Sequence, residues 1–212
     1  MRRKYGEGMM EKIVLENHER YRERIKLFKS FGYDIDKERD FIIENVQPIE
    51  GKILEIGTGK GHFAVALAQK GYQFTTVDVS EEEQKFAKMN IQYLGLLDKV
   101  NFVIADAQRL HFSDNNYDVS FGINLIHHLN QPLRVIDEFL RVTAHRGKVV
   151  ISDFTKEGFE IIKELHKSEG RDHDSGHCTL NEIAEYLLSK RLHIKKVRSK
   201  CQELMIIHNW SK

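Results

Sequence analysis

Three observations predict a doubly wound α/β fold, in which helices cover both faces of a mostly parallel sheet. Between residues 52 and 153, short β-rich runs alternate with stretches of helical period. The 14 glycines and two prolines fall mostly between those runs, which makes the connections short. A glycine cluster directly follows the first run, where a strand hands over to a helix. With 212 residues the chain has the length of one domain. It is expected to divide into N-terminal helices (1–48), a central α/β core (49–154) and a tail of helices and a terminal hairpin (155–212).

In chain order, Met10, Val14, Tyr21, Ile25 and Phe28 recur between charged residues, the stripe of an amphipathic helix over 10–31. A second helix covers 36–46 and stops before Pro48. Lys52-Ile53-Leu54-Glu55-Ile56 reads as a strand, and a helix over 62–70 ends at Gly71, which can turn left-handed. Residues 73–79 are β-rich, and Ser80-Glu81-Glu82-Glu83 forms a capping box that opens a helix to Leu94. Strands come next at 100–105 and 117–123. Pro132 suits the first turn of a helix to about Ala144, and 148–153 is a fifth strand. In the tail, 156–167 is helical, and the capping box Thr179-Leu180-Asn181-Glu182 opens a helix to Leu188. Residues 193–198 and 203–210 form a hairpin that breaks the alternation and adds antiparallel strands at the sheet edge.

A hydrophobic share of 41%, with 12 Phe and 7 Tyr, supplies a real core and excludes global disorder. Lys and Arg number 33 against 32 Asp and Glu, so the chain lacks the basic excess of a protein that lives on phosphate backbones. Nucleic acid is therefore a disfavoured partner. The longest apolar run is about the size of 64–68, far below the roughly 18 residues of a membrane span. Arg2, Arg3 and Lys4 begin like a signal peptide, but Glu7, Glu11 and Glu16 interrupt the stretch where its apolar segment would lie, which points to a cytoplasmic protein. Cys178 and Cys201 stand far apart and read as free thiols.

Glu55-Ile56-Gly57-Thr58-Gly59-Lys60-Gly61-His62 spans the end of the first strand and the start of a helix. Glycines there allow a tight turn and close approach to a ligand, and the free N–H groups of the helix start favour an anionic group. A dinucleotide fingerprint needs its third glycine where His62 stands, so a nicotinamide-dependent oxidoreductase is disfavoured. A P-loop would need Gly-Lys-Ser/Thr, which Lys60-Gly61-His62 does not supply. Twenty-one residues after Gly57, Asp78 closes the second strand, where a carboxylate can accept both hydroxyls of a ribose. Asp106-Ala107 closes the third strand, and Tyr117-Asp118-Val119-Ser120-Phe121-Gly122-Ile123-Asn124-Leu125-Ile126-His127-His128-Leu129 covers the fourth and its exit.

This ordered set, over residues 51–154, closely resembles the class I S-adenosylmethionine-dependent methyltransferases, and among them the small ubiquinone/menaquinone-biosynthesis-type and related small-molecule enzymes. The resemblance implies a Rossmann-like seven-stranded sheet with a reversed, antiparallel C-terminal strand, an N-terminal helical cap, and methyl transfer to a small-molecule acceptor. It implies that Gly57, Thr58, Gly59 and Gly61 lie against S-adenosyl-L-methionine, with Glu55 near its amino group. Asp78, with Val79 beside it, would hold the ribose, Asp106 the adenine amine and the Ala107 N–H an adenine nitrogen. Gly122, Ile123 and Asn124 would run beside the methionine and the methyl donor.

Three histidines are candidate general bases for an acceptor that must lose a proton: His127, His128 and His177. His166, Asp172, His173, Asp174, His177 and Cys178 could supply metal ligands, but polar loop residues before a helix cap are the ordinary explanation, and no metal is expected. Two other functions use the same cofactor residues: an RNA or tRNA methyltransferase, and a non-catalytic cofactor-binding regulator. With Pro48 and Pro132 alone, the Asn/Asp-Pro-Pro-Tyr/Phe motif of exocyclic-amine methylation is absent. An edge strand or the helix over 10–31 could pair two chains into a homodimer.

Overall fold

The computed structural model describes residues 2–170 and 178–208, with side chains from residue 8 onward. Fourteen regular elements succeed one another among them: α1 (Arg2–Ser30), α2 (Ile35–Val46), β1 (Ile53–Ile56), α3 (His62–Gln69), β2 (Phe74–Asp78), α4 (Glu81–Tyr93), β3 (Val100–Ile104), β4 (Tyr117–Ile123), α5 (Pro132–Val142), β5 (Thr143–Phe154), α6 (Lys156–Ser168), α7 (Leu180–Ser189), β6 (Ile194–Arg198) and β7 (Gln202–His208). The strands form one seven-stranded sheet in the order β3-β2-β1-β4-β5-β7-β6. β3, β2, β1, β4 and β5 run parallel, and β7 is antiparallel to both β5 and β6. The C-terminal hairpin is thus present, but of its two strands β7 lies inside the sheet and β6 forms the edge opposite β3. Leu204, Met205, Ile206 and Ile207 are fully or nearly buried, and that continuous apolar run requires cover on both faces and both flanks.

Because side chains alternate across a strand, β1 splits its residues between two cores. Ile53 joins a core with α1, α2 and α3, and Leu54 and Ile56 join one with α5 and α7. Successive crossovers carry the chain from β1 to β2 to β3, and then back to β4 on the other side of β1. Connections from β1 and β4 therefore diverge, and a crevice opens at the C-terminal ends of these two neighbours.

The stripe on α1 holds Val14, Tyr21 and Ile25 buried, whereas Met10 is 54% exposed. Asn17 and His18 fill the stripe between Val14 and Tyr21. Asn17 Nδ2 donates to Asn90 Oδ1 of α4 at 2.9 Å, and Asn90 Nδ2 donates to the Lys60 carbonyl at 3.3 Å, so α1 is tied through α4 to the glycine loop. His18 stacks on Tyr93 at 4.0 Å, and Tyr21 stacks on His62 at 4.8 Å. Among the described residues no helix is long and apolar enough to cross a membrane.

Two local expectations change. The Thr179 capping box forms in full, with the Thr179 N–H donating to Glu182 Oε2 at 2.7 Å. At α4 only half the box forms: Ser80 Oγ accepts from the Glu83 N–H, but the Ser80 N–H goes to Asp78 Oδ1 at 2.9 Å. The fifth strand starts at Thr143, five residues earlier than the sequence suggests, because Thr143 pairs with Tyr117 across a register shift.

Candidate active site

The loop between β1 and α3 is shaped by its glycines. Gly57, Gly59 and Gly61 have φ of +89°, +48° and +86°, a region that other residues enter only with strain. The N–H groups of Gly57 and Thr58 donate to the Val77 carbonyl at 2.8 and 3.1 Å, which seats the loop over the end of β2. A Cβ on Gly59 would meet no heavy atom within 4 Å, so this residue faces open space. A Cβ on Gly61 would come within 2.7 Å of the Ala87 Cβ, so here the glycine admits α4 rather than a ligand. Gly122 likewise makes room for the Phe139 ring, at 2.6 Å from an added Cβ.

Asp78 holds the mouth of this loop. Its Oδ2 accepts from the Gly59 N–H at 2.7 Å and its Oδ1 from the Ser80 N–H at 2.9 Å, which leaves each oxygen a further lone pair. Gly57, Asp78, Val79, Asp106, Ala107 and His128 border a cleft of about 270 Å³. Val79 is 72% exposed, an apolar side chain open to solvent at that cleft. Asp106 accepts from the Gln108 N–H at 2.8 Å, which fixes its carboxylate.

Beneath the loop lies a buried polar network. Thr76 Oγ1 donates to Glu55 Oε2 at 2.6 Å and lies 2.6 Å from Thr58 Oγ1, which accepts from Gln84 Nε2 at 3.1 Å. Thr58 therefore turns its hydroxyl inward, away from the cleft. Burial pushes the Glu55 carboxyl up to about 8, against the opposing pull of Thr76 and the Arg39 charge. His62 is driven the other way, to about 3, by burial and then by Arg39, Lys60 and Arg24.

Arg39 belongs to no motif visible in the sequence. It sits on the buried stripe of α2, with Ile35, Ile42, Ile43 and Val46, and is 6% exposed. Its Nε and Nη1 are buried without a hydrogen-bond partner. Such a guanidinium, facing a Glu55 that favours its neutral form, is short of an anion. The signal that could have found it is its i+4 spacing from Ile35 and its i−3 spacing from Ile42.

Asn124 leaves β4 with φ +52°. Its backbone N–H donates to the Ser152 carbonyl at 2.8 Å, and its side chain accepts from Gln202 Nε2 at 2.8 Å. Gln202 also donates to the Tyr33 hydroxyl at 2.9 Å, so the turn between α1 and α2 meets β4, β5 and β7 behind this segment. Ile123 is buried in the core beside α1 to α3.

The histidine pair divides. His128 borders the cleft of Asp78 and Asp106, whereas His127 borders a second cavity, of about 640 Å³. His127 Nδ1 lies 2.6 Å from Asp153 Oδ1, and both residues are nearly buried. His177 lies outside the described residues, as do Asp172, His173 and Asp174. Among the described residues no three side chains gather as metal ligands.

Residues 54–151 match a family model described as a methyltransferase domain. The ubiquinone/menaquinone biosynthesis C-methyltransferase UbiE of Rickettsia prowazekii (strain Madrid E) is 31% identical over 138 residues, covering 61% of this chain and 54% of that protein. The chain thus spans about half the length of the curated relatives it matches. In structure it is similar to a SAM-dependent methyltransferase from Aquifex aeolicus, with a TM-score of 0.63 and 21% identity over 80% of this chain and 88% of that one. It is similar also to the [4+2]-cyclase SpnF, with a TM-score of 0.66 and 18% identity over 82% and 80% of the two chains. The match over residues 54–151 and the sheet order that carries them make the chain similar to methyltransferase domains in sequence and to S-adenosylmethionine-dependent methyltransferases in fold.

Proposed function

We propose that the protein moves a methyl group from S-adenosylmethionine to a small-molecule acceptor. The observation that carries this reading is the grouping around the glycine loop: the open face of Gly59 and the Asp78 carboxylate with lone pairs to spare at its mouth, and beneath it the buried acid of Glu55 with the partnerless guanidinium nitrogens of Arg39 close enough to act on its charge. They match a ribose diol, an ammonium and a carboxylate in turn. Asp78 would accept the ribose hydroxyls, Asp106 the adenine amine, and the Ala107 N–H a ring nitrogen beside exposed Val79. Glu55 would meet the amino group, and Arg39 the carboxylate that neutralises it. Gly57, Thr58, Gly61, Gly122 and Ile123 would act by shaping the backbone around the ligand.

The bound cofactor supplies an activated methyl on a sulfonium, so no protein nucleophile is required. The chain's own task is alignment: the glycine loop and the Asn124 segment fix the donor, and α1 braces the loop through α4. Balanced charge and cavities of small-molecule size favour such an acceptor over RNA or tRNA. A cytoplasmic location is part of the same reading, supported by two free cysteines.

Calorimetric titration with S-adenosylmethionine, S-adenosylhomocysteine and NADH tests the cofactor. The first two should bind at micromolar levels, at least about tenfold more weakly to Asp78→Ala, because a charged hydrogen-bond acceptor is removed. Binding of NADH instead, or of none of the three, would refute the reading.

A further inference from the structure

We propose that the cavity of about 640 Å³ is the acceptor site, and that His127, positioned by Asp153, is the base that takes the acceptor's proton. The inference rests on the methyltransferase reading and adds to it a requirement on the acceptor: an attacking atom that carries a proton, in a hydroxyl or an acidic C–H.

The placement comes from the sheet. Ile123 of β4 pairs with Ser152 of β5, so Asn124 and Asp153 are the next residues out, side by side at the C-terminal edge of the parallel strands. The short turn Ile126–His128 then folds over that edge. Its two histidine rings lie 3.9 Å apart, one on the cofactor cleft and the other on the larger cavity. A donor and an acceptor that react in line must approach from two sides of one point, and this pair sets one ring on each cavity. The base belongs on the acceptor side, which selects His127 over His128.

Asp153 fixes how His127 can act. Its Oδ1 accepts from the Phe154 N–H at 2.8 Å and its Oδ2 from the His127 N–H at 3.1 Å, while His127 Nδ1 closes on Oδ1. A carboxylate already receiving two backbone donors is the acceptor for the ring too, so Nδ1 carries the ring proton and the lone pair sits on Nε2. A turn could be held as well by a backbone carbonyl. A carboxylate does more, because it stabilises the imidazolium that forms when Nε2 gains a proton.

The rest of the cavity describes the occupant. Phe154 and Phe159 wall it, each ring 5.4 Å from that of His127. Among the described lining residues Lys156, Lys163 and Arg198 are matched in number by Asp153, Glu160 and Glu203, so these side chains balance in charge. This suits a small, ring-bearing acceptor without net charge. In the reaction the acceptor's O–H or C–H proton moves to Nε2 as the acceptor atom bonds to the methyl carbon. The carbon–sulfur bond breaks with its electron pair left on sulfur, and the imidazolium later gives its proton to water.

Phenol, thiophenol and aniline, which offer one ring with three attacking atoms, test the proposal with isotopically labelled S-adenosylmethionine. The wild type should methylate phenol above the protein-free rate. Asp153→Asn should lower kcat on phenol by about a hundredfold or more with KM little changed, and His127→Gln should do the same, with thiophenol much less affected. S-adenosylhomocysteine affinity, measured on the same proteins, should be unchanged. Long-range ¹H–¹⁵N correlation spectra should show a single Nδ1–H tautomer for His127 that Asp153→Asn disturbs. Phenol turnover that survives either substitution, equal losses on thiophenol, or no transfer to phenol with cofactor bound would overturn the assignment. Failure of the wild type to bind S-adenosylhomocysteine would instead sink the methyltransferase reading, and this inference with it.

Discussion

Replacing Glu55 with Gln should change how stability depends on pH. Glu55 is 1% exposed, and its carboxyl is held at about 8 instead of 4.5, chiefly because burial disfavours the charge. Between those two values the folded chain keeps a proton that the unfolded chain has shed, so unfolding free energy falls as pH rises through the window. The slope is about 1.4 kcal/mol per pH unit, and the whole difference amounts to about 5 kcal/mol at pH 8 and above, a large part of a typical domain's stability. Glutamine keeps the acceptor for the Thr76 hydroxyl and carries no proton to lose. Urea titrations of both proteins without cofactor, from pH 5 to about 9, measure the difference. The wild type should be similar to Glu55→Gln near pH 5 and fall progressively below it as pH rises, with contributions from other groups cancelling. Parallel curves across the range would refute the reasoning. Cofactor affinity should move the other way, because the ammonium of S-adenosylmethionine selects the carboxylate, and binding near neutral pH should release a proton.

Gly61→Ala should cost about 2–5 kcal/mol in the same titration, the sum of a left-handed φ and a Cβ driven to 2.7 Å from Ala87; a cost under about 1 kcal/mol would mean that the loop is looser than described. Arg39→Met should leave the cofactor-free protein as stable or more so, by removing buried donors without partners, yet weaken S-adenosylhomocysteine binding about tenfold to a hundredfold by calorimetry. Thr179→Ala removes one side of a reciprocal cap and should cost about 1 kcal/mol without altering cofactor affinity.

The parallel core and its glycine loop are legible in the sequence because their signals are local. Strand, glycine turn and helix start lie within a dozen residues, and Asp78 stands at the end of the next strand. The start of β5 is not legible, because Val135, Ile136, Phe139 and Val142 carry the helical period of α5 up to Thr143 while the pairing that captures Thr143 lies on β4. Arg39 is hidden for a related reason: a charge in an amphipathic helix usually marks the solvated face, and only the packing of α2 against α3 and β7 turns this one inward. His127 can be named from its place after β4, but its partner cannot. Asp153 is 26 residues away and reaches His127 only through the register of β4 on β5. Thr58 keeps the company of ligand contacts in sequence, yet the hydroxyl of Thr76 draws it into the interior.

The structure of the protein in complex with S-adenosylhomocysteine, solved by diffraction, tests the central claim most directly. The account predicts the ribose on Asp78, the adenine beside Val79, Asp106 and Ala107, the carboxylate on Arg39, and the sulfur directed toward Asn124 and the histidine pair. An adenosine found outside that cleft, or a sulfur that faces away from His127 and the second cavity, would contradict it.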